Sequence, residues 1–169
     1  MKDPDSVCNE AVFNQVYNDI SQSVWRFAYY KCGDEAQADD LVQDAFIKLW
    51  SNCAKVALAK AKSFLFTVTN NAFLNQIAHK KVVLKHAQLT PSKVDNESPE
   101  FVLEEKQYHK KLQDAISNLS EAQRTAFLLN RIDGMKYAEI AEHLNISVKA
   151  VEKRMSQALK QLRSEFKNI

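Results

Sequence analysis

The chain has 169 residues, of which 46% are hydrophobic and 26% charged, enough for one mid-sized globular domain or two small ones. Only two glycines and three prolines occur, which argues against a sheet protein with many tight turns and favours a mostly helical one. The formal net charge is only +2, so overall basicity gives no reason to expect nucleic-acid binding.

The cysteines and the first residues indicate the cellular compartment of the protein. Cys8, Cys32 and Cys53 are odd in number and show no C-x-x-C spacing, so we predict reduced thiols and neither a disulfide framework nor a zinc site. The start is polar and acidic, and no apolar run approaches the length of a membrane span. We expect a cytoplasmic protein with no direct membrane insertion.

Apolar residues at helical spacing predict three helices in the N-terminal half, at about residues 9–31, 36–53 and 59–85. Gly33 and Asp34 separate the first two, and Asp34 with Gln37 resembles a capping box that opens the second. Together with a helical C-terminal half, this predicts an all-α fold of two small domains, residues 7–87 and 101–169.

The second predicted helix has the pattern of a protein-docking surface. Its broad apolar face is rimmed by polar residues: Asp39, Asp40, Gln43, Asp44 and Lys48. We predict that Val42, Phe46 or Trp50 spread from the core onto the adjoining surface, because exposed aromatics beside carboxylates are common at interfaces. The alternative is that all three are simply core. A metal site on the acids is disfavoured, because no second ligand group is visible nearby.

The third predicted helix combines aromatic residues with side-chain amides and lysines. Aromatic rings can stack on unpaired bases, amides can read base edges, and lysines can hold phosphates. This set suits a protein that opens DNA and traps an extruded base, although most of the aromatics fit the core stripe equally well. The polar candidates are Asn70, Asn71, Asn75, Lys80 and Lys81.

Residues 88–100 are the predicted flexible linker, since they contain two prolines and three acids against one lysine. Ser98 and Pro99 look like an N-cap and first helical position, and the following helix takes in about residues 100–118. A capping-box pattern at Ser120 and Gln123 opens another helix, which ends at Asp133 and Gly134.

Residues 135–162 have the layout of a DNA-binding helix-turn-helix. Ile140, Ala141, Val151 and Met155 continue one apolar stripe through both helices. Ser147 is the predicted N-cap of the second helix, whose N-terminal residues enter the major groove in such motifs. The outward-facing residues are Lys149, Glu152, Lys153 and Ser156. The alternative is an ordinary amphipathic hairpin with a solvated outer face.

No pattern in the chain predicts catalysis. The four histidines are scattered, and two glycines cannot supply a phosphate-cradling loop. We therefore expect no enzyme, no cofactor and no bound metal.

Three blocks of the sequence resemble bacterial sigma factors of the small two-domain extracytoplasmic-function (ECF) type. QADDLVQDAFIKLW (residues 37–50) is similar to the family's polymerase-binding helix. FLFTVTNNAFLNQI (residues 64–77) is similar to its −10-melting block, and residues 119–163 resemble the domain that reads the −35 element.

The resemblance implies a role and a set of partners. The chain would bind core RNA polymerase (β′ clamp helices and β flap) and direct promoter-specific initiation, without catalysing RNA synthesis itself. Family members are often restrained by an anti-sigma factor, which is implied here as well. The alternatives are a LuxR-like helix-turn-helix regulator and a helical antagonist of a regulator that does not touch DNA.

The resemblance also assigns residues. Asp39, Asp40, Gln43, Phe46 and Trp50 fall on the polymerase-facing helix. Asn71 takes the place of an asparagine near the flipped −10 base. Recognition-helix positions are matched by Lys149, Lys153 and Arg154, the last expected on phosphate.

The −10 block departs from the family pattern. Phe64 replaces the usual tryptophan, Asn75 the usual aspartate and Ala78 a usual arginine, which implies altered −10 specificity or a differently braced helix. Asn145 replaces the common turn glycine, and asparagine tolerates positive φ.

Overall fold

The computed structural model describes residues 6–86 and 103–166. In these ranges the chain forms seven helices and no strand: α1 (Glu10–Cys32), α2 (Glu35–Ser51), α3 (Leu58–His86), α4 (Leu103–Ser117), α5 (Glu121–Arg131), α6 (Tyr137–Leu144) and α7 (Val148–Phe166). The predicted all-α class is confirmed. The predicted linker at 88–100 and the helix start at Ser98 and Pro99 lie outside the described residues. None of the described helices is long and apolar enough to cross a membrane.

Helices α1, α2 and α3 pack together as an N-terminal bundle. Gly33 ends α1 in the left-handed conformation (φ 74°), and the Asp34 side chain caps α2 by accepting from Gln37 N at 2.7 Å. The Gln37 side chain does not complete the predicted capping box but donates to Gln76 on α3. This tight turn makes α1 and α2 antiparallel. In the core of the bundle, the fully buried Phe27 of α1 and Phe66 of α3 meet edge to face, with 5.2 Å between ring centroids.

The antiparallel hairpin corrects the prediction of three reduced thiols. Cys8, just before α1, and Cys53, just after α2, form a disulfide with a Cα–Cα distance of 5.0 Å. The neighbouring Val7 is fully buried, which holds this N-terminal segment against the end of α2. Spacing along the chain could not indicate the pair, because 45 residues separate its members. Cys32 remains free and half-buried.

Helices α4 to α7 pack together as a C-terminal bundle. Ser120 and Gln123 form both hydrogen bonds of the predicted capping box at the start of α5. The core is aliphatic, with Leu119, Leu128, Leu129, Ile140 and Met155 at most 2% exposed.

The two bundles touch each other. The C-terminal end of α1 contacts α4 and α5, while side chains of α3 reach α6 and the turn before it. The helices that carry the predicted −10 and −35 residues therefore belong to neighbouring, contacting units.

Candidate nucleic-acid and protein interfaces

Helix α7 separates an apolar face from a polar one along its whole length. Val151, Met155, Ala158 and Leu162 are buried against α5 and α6. The predicted recognition residues on the opposite face are exposed: Lys149, Glu152, Lys153 and Ser156. Arg154 lies between the two faces and is half-buried, so its guanidinium belongs to the edge of the exposed surface.

The turn between α6 and α7 has the geometry that a helix-turn-helix requires. Asn145 adopts the left-handed conformation (φ 52°, ψ 49°), and Ile146 N donates to Ala141 O at 2.9 Å. Ser147 is exposed, and its hydroxyl accepts from Ala150 N at 3.2 Å at the start of α7. Asparagine takes this backbone conformation more readily than most residues, so this turn does not need a glycine.

The predicted −10 residues of α3 divide into exposed and occupied groups. Asn71, Asn75 and Lys80 are exposed, whereas Asn70 is half-buried and its amide oxygen accepts a hydrogen bond from Lys31 of α1. Lys81 belongs to α3, but its side chain lies outside the described part of the structure. Phe66 and Phe73 are core residues and Phe64 is partly buried against the core, which agrees with the alternative that most aromatics of this helix belong to the core.

Most of the predicted docking residues on α2 are accessible. Asp39, Asp40 and Gln43 are exposed, and Asp39 also accepts from Trp25 Nε1 at 2.7 Å. Trp50 is 45% exposed, and its ring meets Phe13 edge to face at 5.0 Å between centroids. A carboxylate rim beside an accessible indole is thus present on this helix.

The predicted surface position of Phe46 is wrong. Phe46 is 5% exposed and packs under Phe13 and Tyr17, with ring centroids at 6.0 and 4.8 Å. Val42 is buried as well, at 7% exposed. The sequence pattern missed this because it could not show that the rings of α1 would cover these two positions. Phe46 therefore supports the α2 surface from below and is not itself presented to a partner.

Comparisons with known proteins match both bundles. Residues 16–82 match the family model "Sigma-70 region 2", and residues 109–162 match "Sigma-70, region 4". The chain is 30% identical over 155 residues to the ECF RNA polymerase sigma factor SigM of Bacillus subtilis, covering 88% of this chain and 93% of that protein. It belongs to the ECF sigma factors. As a sigma factor, it acts in promoter-specific initiation of transcription.

Two further relatives show the extent of the likeness. The ECF RNA polymerase sigma factor SigE of Mycolicibacterium smegmatis is 25% identical over 156 residues, which cover 89% of this chain but only 60% of SigE. The fold is similar to that of the sigma factor RpoE from Bartonella quintana, solved in complex with the anti-sigma factor NepR. That comparison has a TM-score of 0.76 at 22% identity, and covers 92% of this chain and 96% of RpoE.

Because family models match both the N-terminal and the C-terminal bundle, the LuxR-like alternative is excluded. That alternative was based on the C-terminal helix-turn-helix alone, whereas region 2 occupies the N-terminal bundle. Sigma factors as a class are not catalytic enzymes. Among the described residues, no group of three or more His, Cys, Asp or Glu side chains could hold a metal ion.

Sequence reasoning missed one residue of the α2 surface, Ile47. It is 62% exposed and follows Asp40, Gln43 and Asp44 at helical spacing, so these four residues share one accessible face. The signal was present in the sequence, since Ile47 is a large apolar residue that lies off the buried stripe of its helix.

Sequence reasoning also missed the polar contacts between the bundles. A cleft of about 620 Å³ lies between α3 and α6, with Lys62, Thr67, Asp133 and His143 among the residues that line it. Lys62 forms an ion pair with Asp133, and Thr67 Oγ1 lies 3.4 Å from His143 Nε2. Burial raises the pKa of Asp133 and lowers that of His143 from their ordinary values, although the Asp133 carboxylate opposes the shift at His143.

Proposed function

We propose that the two bundles divide promoter recognition between them. Residues 7–87 would bind core RNA polymerase through α2 and read and melt the −10 element through α3. Residues 101–169 would read the −35 element through α7, with 88–100 as the linker. The two separate family matches, 16–82 and 109–162, support this division.

The observation that carries the −35 assignment is the exposed cationic start of α7. Lys149 and Lys153 are one turn apart on a face whose opposite side is buried, so both ammonium groups can reach one groove of DNA. Glu152 and Ser156 add an acceptor and a hydroxyl for base edges, while the half-buried Arg154 suits a phosphate contact. Ser147, at the capped end, lies where a helix N-terminus would meet a phosphate.

On α2, the exposed face of Asp40, Gln43 and Ile47, with Asp39 and Trp50 beside it, would bind the polymerase β′ clamp helices. On α3, the exposed Asn71, Asn75 and Lys80 would contact the −10 strand, with Lys81 following along the same helix. Asn70 could join them only after releasing Lys31. The C-terminal bundle would meet the β flap.

The test is transcription from a promoter library by core polymerase with this chain as the only sigma factor. We expect specific run-off transcripts, and their absence would refute the proposed function.

Lys149→Ala with Lys153→Ala should lower transcription from −35-dependent promoters at least tenfold, because each lysine contributes a groove contact. The matched control is Lys160→Ala, an exposed lysine about 10 Å beyond Lys153 on the same helix, which should change transcription little. Equal losses in the two variants would contradict the −35 assignment.

We also infer an anti-sigma factor as a regulatory partner and the cytoplasm as the place of action, with catalysis left to the polymerase. The likeness to RpoE, which was captured with NepR, supports such a partner. An antagonist that covers the α2 face would compete with core polymerase. Direct binding of the antagonist that is unchanged by Ile47→Ala and Asp40→Ala would place its binding surface elsewhere.

A further inference from the structure

The Cys8–Cys53 disulfide joins two short hydrogen-bonded turns at one end of the N-terminal bundle. Asn9 N donates to Ser6 O at 2.8 Å just before α1, and Cys53 N donates to Trp50 O at 3.2 Å at the end of α2. Both cysteines are half-buried, so each keeps part of its surface in contact with solvent. The bond therefore lies where a small thiol can reach it.

The bond holds the first turn of α1 against the last turn of α2, and two aromatic rings meet at this point. Phe13 lies on the first turn of α1, and its ring contacts that of Trp50 edge to face at 5.0 Å between centroids. Val7, next to Cys8, is fully buried, so the segment before α1 is packed as well as covalently attached. The disulfide thus acts directly on the structure that supports Trp50.

Trp50 is 45% exposed and lies beside the α2 face of Asp40, Gln43 and Ile47, which we propose binds core polymerase. A large aromatic residue contributes most to binding when its orientation is fixed beforehand, because no ordering cost is then paid on association. Helix ends open locally at a low free energy unless they are held. The disulfide holds both ends here, and so keeps Phe13 under Trp50.

A disulfide in the cytoplasm is a conditional bond, because the thiol pool there reduces most cysteine pairs and those that form are mostly transient, catalytic or redox-sensing. In the exchange, the thiolate of a glutathione-class thiol attacks one sulfur, and the other cysteine leaves as a thiolate and takes up a proton. A second small thiol then displaces the first from the mixed disulfide. The protein gains two electrons and two protons, and two small thiols become one small disulfide. The reverse exchange restores the bond.

We propose that Cys8 and Cys53 form a thiol–disulfide exchange site through which small thiols and disulfides control the affinity of this sigma factor for core polymerase. The oxidised form holds Trp50 against Phe13 and binds tightly, whereas reduction releases the turn before α1 and weakens binding. This inference rests on the proposed function, in which the α2 face with Trp50 beside it binds polymerase in the cytoplasm. Cys32 takes no part, because it ends α1 about 30 Å from the start of that helix.

The test measures the affinity of the full chain for core polymerase after equilibration with oxidised or with reduced glutathione. Alkylation followed by mass spectrometry gives the fraction of each redox form. The reduced chain should bind about tenfold more weakly than the oxidised chain. Cys8→Ser should bind like the reduced chain in both buffers. The matched control Cys32→Ser, which leaves the pair intact, should keep the full tenfold difference.

Loss of the bond also lowers stability, so a second variant separates a loss of docking from a loss of folding. The assay is run at a temperature at which the reduced chain keeps the helical circular dichroism of the oxidised chain. In Trp50→Ala, the redox state should no longer change the affinity for core polymerase, because the group through which the bond acts is absent. A tenfold difference that persists in Trp50→Ala would show that the bond acts through stability alone and would overturn the proposal.

Two further results would overturn it as well. Equal affinities of the oxidised and reduced chains would remove the control of docking, and a bond that reduced glutathione leaves intact would be a permanent structural link. If instead neither form of the unaltered chain binds core polymerase, the proposed function fails. The mass spectrometry then still decides whether Cys8 and Cys53 exchange with small thiols.

Discussion

The two bundles solve the problem of a small core in different ways. The N-terminal bundle buries rings, with Phe27, Phe46, Phe66 and Phe73 all at most 5% exposed, and adds a disulfide that joins the segment before α1 to the end of α2. The described core of the C-terminal bundle is aliphatic, and its strong amphipathicity is concentrated on α5 and α7. Ile47 and Trp50 are exposed on α2 of the first bundle, which suits protein docking, whereas Lys149 and Lys153 are exposed on α7 of the second, which suits DNA.

The largest predicted effect is a difference in stability between alanine variants of two neighbours on α2, the buried Phe46 and the exposed Ile47. Phe46→Ala should lower the free energy of unfolding by about 3–5 kcal/mol, because it leaves a cavity under Phe13 and Tyr17. Urea unfolding followed by circular dichroism measures this loss. A Phe46→Ala protein as stable as the parent would contradict the buried position.

Ile47→Ala is the matched variant and should behave in the opposite way. Because Ile47 is 62% exposed, its truncation should change stability by no more than about 0.5 kcal/mol. Its affinity for core polymerase should fall about tenfold if the α2 face forms the interface. Docking should therefore be tested at Ile47 and not at Phe46, because truncation of the buried Phe46 would lower stability and binding together.

The second largest effect is the loss of stability expected when the Cys8–Cys53 disulfide of the N-terminal bundle is removed. Closing a loop across 45 residues reduces the entropy of the unfolded chain, which in the chain-entropy model stabilises the fold by about 4 kcal/mol. Cys8→Ser, or reduction of the unaltered chain, should therefore lower the melting temperature of the N-terminal bundle. The transition of the C-terminal bundle should move little.

Cys32→Ser is the control for the disulfide, because Cys32 is free and burial raises the pKa of its thiol. Alkylation of the native oxidised chain should modify only Cys32, and slowly, since the reactive thiolate is less populated than in an ordinary cysteine. Three alkylated thiols without prior reduction would restore the original prediction of reduced cysteines.

The sequence predicted those features that depend on residues close together in the chain and missed those that depend on distant residues. Periodicity placed the helices to within a few residues, and short-range chemistry placed the caps at Asp34, Ser120 and Ser147 and the positive φ of Asn145. Long-range pairing was not readable, as the Cys8–Cys53 disulfide shows. Lys31 looked like an ordinary cation in the last turn of α1, because its partners lie 39, 90 and 94 residues away.

The smallest predicted effect is a pH dependence of the contact between the two bundles at the α3–α6 cleft. The pKa of His143 is lowered from 6.5 by burial in the cleft, and separation of the bundles would return it to its ordinary value. The separated bundles would therefore bind more protons in this range, so the contact between them should weaken as the pH falls below about 6.5. Asp133 has the opposite sign, since its pKa is raised from 3.8 and its protonation at lower pH favours the contact.

A scattering titration of the unaltered chain and of His143→Gln between pH 7.5 and 5.5 tests the histidine, because Asp133 is present in both proteins. The radius of gyration should rise on acidification in the unaltered chain and stay level in His143→Gln, which can still hydrogen-bond to Thr67. Thr67→Val should reduce the effect without abolishing it, since the desolvation that lowers the pKa of His143 remains. If His143→Gln showed the same pH dependence as the unaltered chain, the titrating group would not be His143.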